Sequence, residues 1–125
     1  MQPNPDILRF INLANKHYLT RFGNCGVFAI ALHQLFGEGE FLIVENDSIF
    51  GCCYHVVFRK DEIIYDGTGV IESEEELLCY GFDENFPDSL AKILELPASE
   101  DFYRYTDHSE EPEDFVKLYT KEETQ

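Results

Sequence analysis

Positive charge is scarce in this sequence, which sets nine Lys+Arg against 25 Asp+Glu for a net charge of -16. Such a chain repels phosphate backbones and anionic lipid headgroups alike, which argues against nucleic-acid and membrane-surface binding. Long hydrophobic runs are missing as well. Nothing approaches the roughly 18 apolar residues a membrane-spanning helix requires. No basic stretch leading into an apolar segment opens the sequence, so a cytoplasmic protein is expected. The four cysteines, Cys25, Cys52, Cys53 and Cys79, contain no Cys-x-x-Cys spacing. That removes the usual signature of structural zinc, so neither metal nor cofactor is expected and the cysteines are expected as thiols. Repeats and internal linkers are also lacking, and 125 residues make a single domain. We place it at 1–119, with 120–125 as a frayed tail.

What the sequence does have is apolar and aromatic material: 44% hydrophobic residues, including 11 Phe and seven Tyr. That is enough to bury a core and offset the entropy of ordering the chain. The charge is unevenly spread. Residues 61–125 hold 20 acidic and four basic side chains, against five of each in residues 1–60. The acidic half, with Glu72 to Glu76 at its start, is a candidate face for a basic protein partner.

Ile7, Phe10, Ile11, Ala14 and Tyr18 recur at three- and four-residue steps, predicting an amphipathic helix with Asp6 as N-cap and its end at Gly23. Val27 to Leu32 is apolar on every side, which predicts a buried helix, begun by Asn24 and closed by Gly37. β-Branched and aromatic enrichment predicts strands at 41–44, 54–58 and 63–65, the last two joined by a tight hairpin. Ser73-Glu74-Glu75-Glu76 has the form of a capping box and predicts a short helix over 74–80. A further helix is predicted over 87–96, stopped by Pro97.

Cys25 stands at the first turn of the buried helix, where free N–H groups and the helix dipole favour a thiolate. Taken alone it is equally a small hydrophobe of the core. A thiolate nucleophile needs a base. His33 is eight residues along the same helix, roughly 12 Å away, and cannot reach. His17 and His108 read as surface residues. His55 lies in a strand that the hairpin folds back on Asp66. With the turn at Lys60-Asp61, Arg59 faces Glu62 and His55 faces Asp66, within cross-strand reach. The carboxylate would then accept the Nδ1 proton and leave Nε2 toward the thiol. Separately, His55 is also a half-buried strand histidine and Asp66 a turn former before Gly67. Cys52-Cys53 reads as a packed or partly exposed pair and Cys79 as helix core.

The order of Cys, His and Asp resembles the papain-like cysteine peptidase superfamily in its broad sense, which includes transglutaminase-like and arylamine N-acetyltransferase-like proteins. The resembling stretch runs from Gly23 to Gly69 and rests on Gly23-Asn24-Cys25-Gly26, Tyr54-His55-Val56-Val57 and Tyr65-Asp66-Gly67-Thr68-Gly69. It implies an α+β papain-like fold, with a central buried helix carrying the cysteine and packed against an antiparallel sheet. It implies a Cys25, His55, Asp66 triad acting on a peptide or other amide or ester substrate, as a hydrolase, deamidase or acyltransferase. Papain's closest relatives carry an oxyanion-hole Gln six residues before the nucleophile, where this sequence has Leu19. Asn24 is therefore the oxyanion candidate, beside the Cys25 backbone N–H. The alternative is a noncatalytic acidic binding, inhibitor or immunity-type protein that docks on a basic partner.

Overall fold

The computed structural model describes residues 2–20, 24–47, 53–82, 84–99 and 110–123, without the side chains of 53, 54, 122 and 123. Gly23, Cys52, His108 and the last two tail residues, on which expectations had been placed, lie outside the described residues. In chain order come α1 (Pro5–His17), α2 (Cys25–Phe36), β1 (Glu40–Asn46), β2 (Cys53–Lys60), β3 (Ile63–Asp66), β4 (Gly69–Ile71) and α3 (Glu74–Leu78). A 3-10 turn (Cys79–Gly81), β5 (Ala91–Pro97) and α4 (Pro112–Glu123) follow. The strands form one antiparallel sheet in the order β4-β3-β2-β1-β5. The fold class is α+β.

Alternation along the strands sorts the core onto two faces. Phe41, Ile43, Val56, Phe58 and Tyr65 meet α1, α2 and α4 on one side, through Phe10, Phe28 and Phe115 among others. Leu42, Val44, Val57, Ile64 and Ile71 meet Leu77 of α3 on the other. The buried helix expected between Asn24 and Gly37 is present, and Gly37 takes the positive φ, 93°, that closes it. α1 starts earlier than expected. Its N-cap is Asn4, not Asp6: the Asn4 carboxamide oxygen accepts from the Asp6 N–H at 2.8 Å, and Pro5 fits the first helical position. It also stops at His17, well before Gly23.

The helix expected over 87–96 is instead the edge strand β5, paired with β1 from Glu40↔Pro97 to Asn46↔Ala91. Ala, Lys, Leu and Glu are good helix formers, but β1 is a buried strand whose second edge needs hydrogen-bond partners, and that requirement overrides propensity. The acidic stretch near the C-terminus forms α4, which runs to Glu123, so most of the expected frayed tail is helical. Cys79 is exposed rather than core.

The hairpin between β2 and β3 turns at Asp61-Glu62, one residue later than expected, with Lys60↔Ile63, Arg59↔Ile64 and Phe58↔Tyr65 in register. Arg59 consequently faces Ile64, not Glu62, and binds Glu40 at 3.1 Å and Glu95 at 2.6 Å. Asp61 and Glu62 both have positive φ, 51° and 70°. Asp tolerates that conformation and Glu does not, whereas Asp-Gly is among the favoured pairs for such a turn. Glu62→Gly is therefore expected to stabilise the protein by about 1 kcal/mol in urea melts. A loss of stability would contradict this turn geometry.

Candidate active site

Moving a two-residue turn by one position shifts the strand register by two. The side-chain face is therefore kept even though the partner changes. Continuing the observed register puts Val57, not His55, opposite Asp66, so the pair are diagonal neighbours on one face. They meet all the same. His55 Nε2 lies 2.8 Å from Asp66 Oδ2, with both side chains buried. A bulge in β2, where Val44 pairs His55 but Glu45 pairs Cys53, falls immediately before His55, and bulges re-aim the neighbouring side chain.

The β2–β3 ladder has ended at Phe58↔Tyr65 by this point. At that open end α2 presents its first residue, Cys25, which lines a narrow crevice with Val57, Asp66 and Gly67. The Cys25 side chain stands close enough to His55 to raise the pKa of its imidazole. The nitrogen on the carboxylate is Nε2, where the sequence led us to expect Nδ1. The imidazole thus meets a carboxylate on a strand and stands near a thiol at the start of a helix.

Asp66 is itself fixed from behind. Its Oδ1 accepts hydrogen bonds from the Thr68 N–H, at 2.8 Å, and from the Thr68 hydroxyl, leaving Oδ2 for His55. Burial opposes charge on both partners, but their mutual hydrogen bond prevails. The His55 pKa is pushed from 6.5 to about 9 against burial, by the Asp66 hydrogen bond, the nearby Cys25 side chain and the charges of both. Asp66 is lowered against burial, by the hydrogen bonds from His55 and Thr68.

These shifts fix the sign of a pH dependence. The raised His55 contributes stability that is complete below its ordinary value of 6.5 and is lost as pH rises through about 9. The lowered Asp66 contributes stability that is present above its ordinary value of 3.8 and is lost as pH falls through its depressed folded value. Thermal melts are expected to show this contribution in full between those two ordinary values, with Asp66→Asn flattening the alkaline decline. An unchanged alkaline slope in the variant would mean that the pair is not coupled.

Gly67, next to Asp66, is clamped to α1 and Thr20 by residues to which the sequence assigned no role. Asn15 donates from Nδ2 to the Gly67 carbonyl at 2.7 Å, and Thr20 donates its hydroxyl to Asn15 Oδ1 at 2.7 Å. Thr20 packs so closely on Gly67 that an added Cβ would collide with its hydroxyl and, at 2.7 Å, with its own Cβ. Gly67→Ala is expected to cost about 1–3 kcal/mol by this overpacking. A Gly67→Ala protein with unaltered stability would contradict the clamp.

The Asn24 side chain, the oxyanion candidate, is engaged with other partners. Its Nδ2 donates to the Leu19 carbonyl at 2.7 Å and to Glu110 Oε2 at 2.6 Å, which engages both hydrogens, and its Oδ1 accepts from the Glu110 N–H at 3.4 Å. It joins the start of α2 to the approach to α4 and places no side-chain cap on the first turn of α2. The first backbone N–H groups of that turn are the donors closest in sequence to the sulfur.

The other histidines stay apart. His33 Nδ1 lies 2.9 Å from the Gly37 carbonyl, and His17 is exposed at the end of α1. Among the described residues no three His, Cys, Asp or Glu side chains are grouped to hold a metal ion, and no helix is long and apolar enough to cross a membrane. A hollow of about 700 Å³ lined by Glu40, Arg59, Glu62, Ile64, Ser73 and Glu74 lies away from Cys25 and is lined by no cysteine or histidine. No family model, curated protein or solved structure matches this chain.

Proposed function

We propose that the protein is a cysteine-dependent hydrolase or acyltransferase of papain-like type. The observation that carries this is the buried imidazole of His55 hydrogen-bonded through Nε2 to Asp66 and standing near Cys25, whose side chain begins a helix. Cys25 Sγ, its proton already held on His55, attacks a carbonyl carbon, forming a tetrahedral oxyanion beside the first N–H groups of α2. The intermediate collapses as His55 returns the proton to the departing amine or alcohol, leaving an acyl-thioester on Cys25. Water or an amine, deprotonated by His55, then attacks the thioester and releases the thiol. Asp66 touches no reacting atom. It orients the ring and stabilises the imidazolium formed in each half-reaction.

Peptidase, deamidase and acyltransferase share these steps, so the triad by itself sets the chemistry and not the acceptor. Labelling the pure protein with electrophilic amide and ester probes, and locating the adduct by mass spectrometry, tests the proposal. An adduct on Cys25 that vanishes in Cys25→Ser is expected. Labelling confined to Cys79, or to none of the cysteines, would overturn it.

A further inference from the structure

His55 is only 4% exposed although it stands near the open end of the β2–β3 pair. The reason is a residue from a distant part of the chain. The ring of Tyr80 lies flat on the imidazole, with centroids 4.3 Å apart and planes 16° from parallel. Tyr80 turns its other side to solvent and is 38% exposed. Cysteine chemistry does not require a side chain there, and a lone surface tyrosine would be free to swing away.

This tyrosine is not free, because the turn that carries it is fixed at both ends. On one side Leu77 of α3 is fully buried against the sheet. On the other, the Gly81 carbonyl accepts from Asn46 Nδ2 at 2.6 Å. Gly81 itself is pressed so tightly on the sheet that a Cβ would come within 2.7 Å of the Ala91 Cβ and 2.8 Å of the Val44 Cγ1. Val44 is the residue paired with His55. The shelf bearing Tyr80 is thus fastened to the strand next to the one bearing His55.

Building on the triad reading above, we propose that Tyr80 is a positioning residue, whose ring holds the plane of the His55 imidazole and keeps water off the Nε2–H···Asp66 hydrogen bond. The imidazole has a single bond about which it can turn out of line with both partners. A flat neighbour stacked in parallel blocks that rotation without competing for either nitrogen. The same face attracts the imidazolium, through the negative face of the aromatic ring. Among the groups that meet His55 are Cys25 from α2, Asp66 from β3 and Tyr80 from the 3-10 turn. Two set the proton's position and the third sets the ring's.

Two readouts on the whole protein test this. The first is the His55 Nε2 proton in NMR spectra, which a buried hydrogen bond to Asp66 keeps from exchanging with water. The signal is expected in the wild type and in Tyr80→Phe and is expected to be lost by exchange in Tyr80→Ala. The second is the rate of Cys25 alkylation by iodoacetamide, expected to fall about tenfold or more in Tyr80→Ala, since small misplacements of a reacting group have effects of that size, and to be restored in Tyr80→Phe. Should the alanine variant fail to fold, Tyr80→Leu offers bulk without a flat face and gives the same comparison. A protected proton and an unchanged rate in a folded Tyr80→Ala or Tyr80→Leu protein would overturn the role of Tyr80 and leave the triad standing. Absence of the protected proton from the wild type would instead overturn the His55–Asp66 bridge itself.

Discussion

Truncating His55 to alanine is expected to lower turnover of an activated ester by about 10²–10⁴-fold, the range a positioned acid–base group contributes. In the proposed mechanism the imidazole accepts the Cys25 proton and donates to the leaving group, and among the described residues His33 and His17 are engaged or exposed elsewhere. Asp66→Asn is expected to fall between the wild type and His55→Ala. A carboxamide retains the shape and the Thr68 contacts but loses the charge that faces the imidazolium. Cys25→Ser is expected to be lowest or level with His55→Ala, because members of such a unit do not contribute additively. Cys25→Ser is nearly isosteric, so its melting temperature is expected to stay close to that of the wild type. Equal turnover in His55→Ala and wild type would remove the base from the mechanism.

The second large effect concerns the packing that holds α2 in place. Phe28 is buried at the meeting point of three helices, stacked on Phe10 of α1 at 5.4 Å and edge-on to Phe115 of α4 at 5.3 Å between ring centroids. Phe28→Ala is expected to destabilise the protein by about 3–5 kcal/mol, because the cavity cannot be refilled by neighbours already in contact with each other. That is a large share of the roughly 5–15 kcal/mol by which a domain is stable. Leu90→Ala, at a site 69% exposed, serves as the contrast and is expected to change stability by less than about 0.5 kcal/mol. Comparable shifts of the urea midpoint in the two variants would contradict the packing described for α2.

What could be read in the sequence was what local chemistry decides. Val27 to Leu32 is apolar on every face and closed by Gly37, so α2 was legible, although Asn24 marks its start without capping it. Ser73 and Glu76 marked α3, and the Ser73 hydroxyl does accept the Glu76 N–H at 3.1 Å. The hairpin partners were legible as a face but not as a register. The period of two is indifferent to a two-residue slip, and the turn carries Glu62 where a glycine would have marked it. The orientation of the His55 ring was not legible, because both ring nitrogens satisfy the same spacing argument.

Residues 91–97 misled because an edge strand obeys its neighbour's unpaired backbone more than its own side chains. Tyr80 and the Asn15–Thr20–Gly67 clamp left no sequence signal at all. Each is brought to the site by a turn or a helix end whose placement depends on the finished sheet. Asn24 was singled out for standing next to Cys25, yet adjacency in the chain says nothing of where a side chain points, and this one reaches back to Leu19 and Glu110.

The proposed function depends most directly on whether His55 makes Cys25 a better nucleophile than an ordinary thiol of the same protein. Cys79 supplies the comparison, being exposed and hydrogen-bonded only to a backbone carbonyl among the contacts described. The measurement is the rate of iodoacetamide alkylation at about pH 6, well below the titration of an unperturbed thiol at about 8.5, with each adduct located by mass spectrometry. The expected result is that Cys25 reacts at least about tenfold faster than Cys79 in the wild type, and that His55→Ala abolishes the difference. A Cys25 that reacts no faster than Cys79 in the folded wild-type protein, or one whose rate is indifferent to His55→Ala, would contradict it.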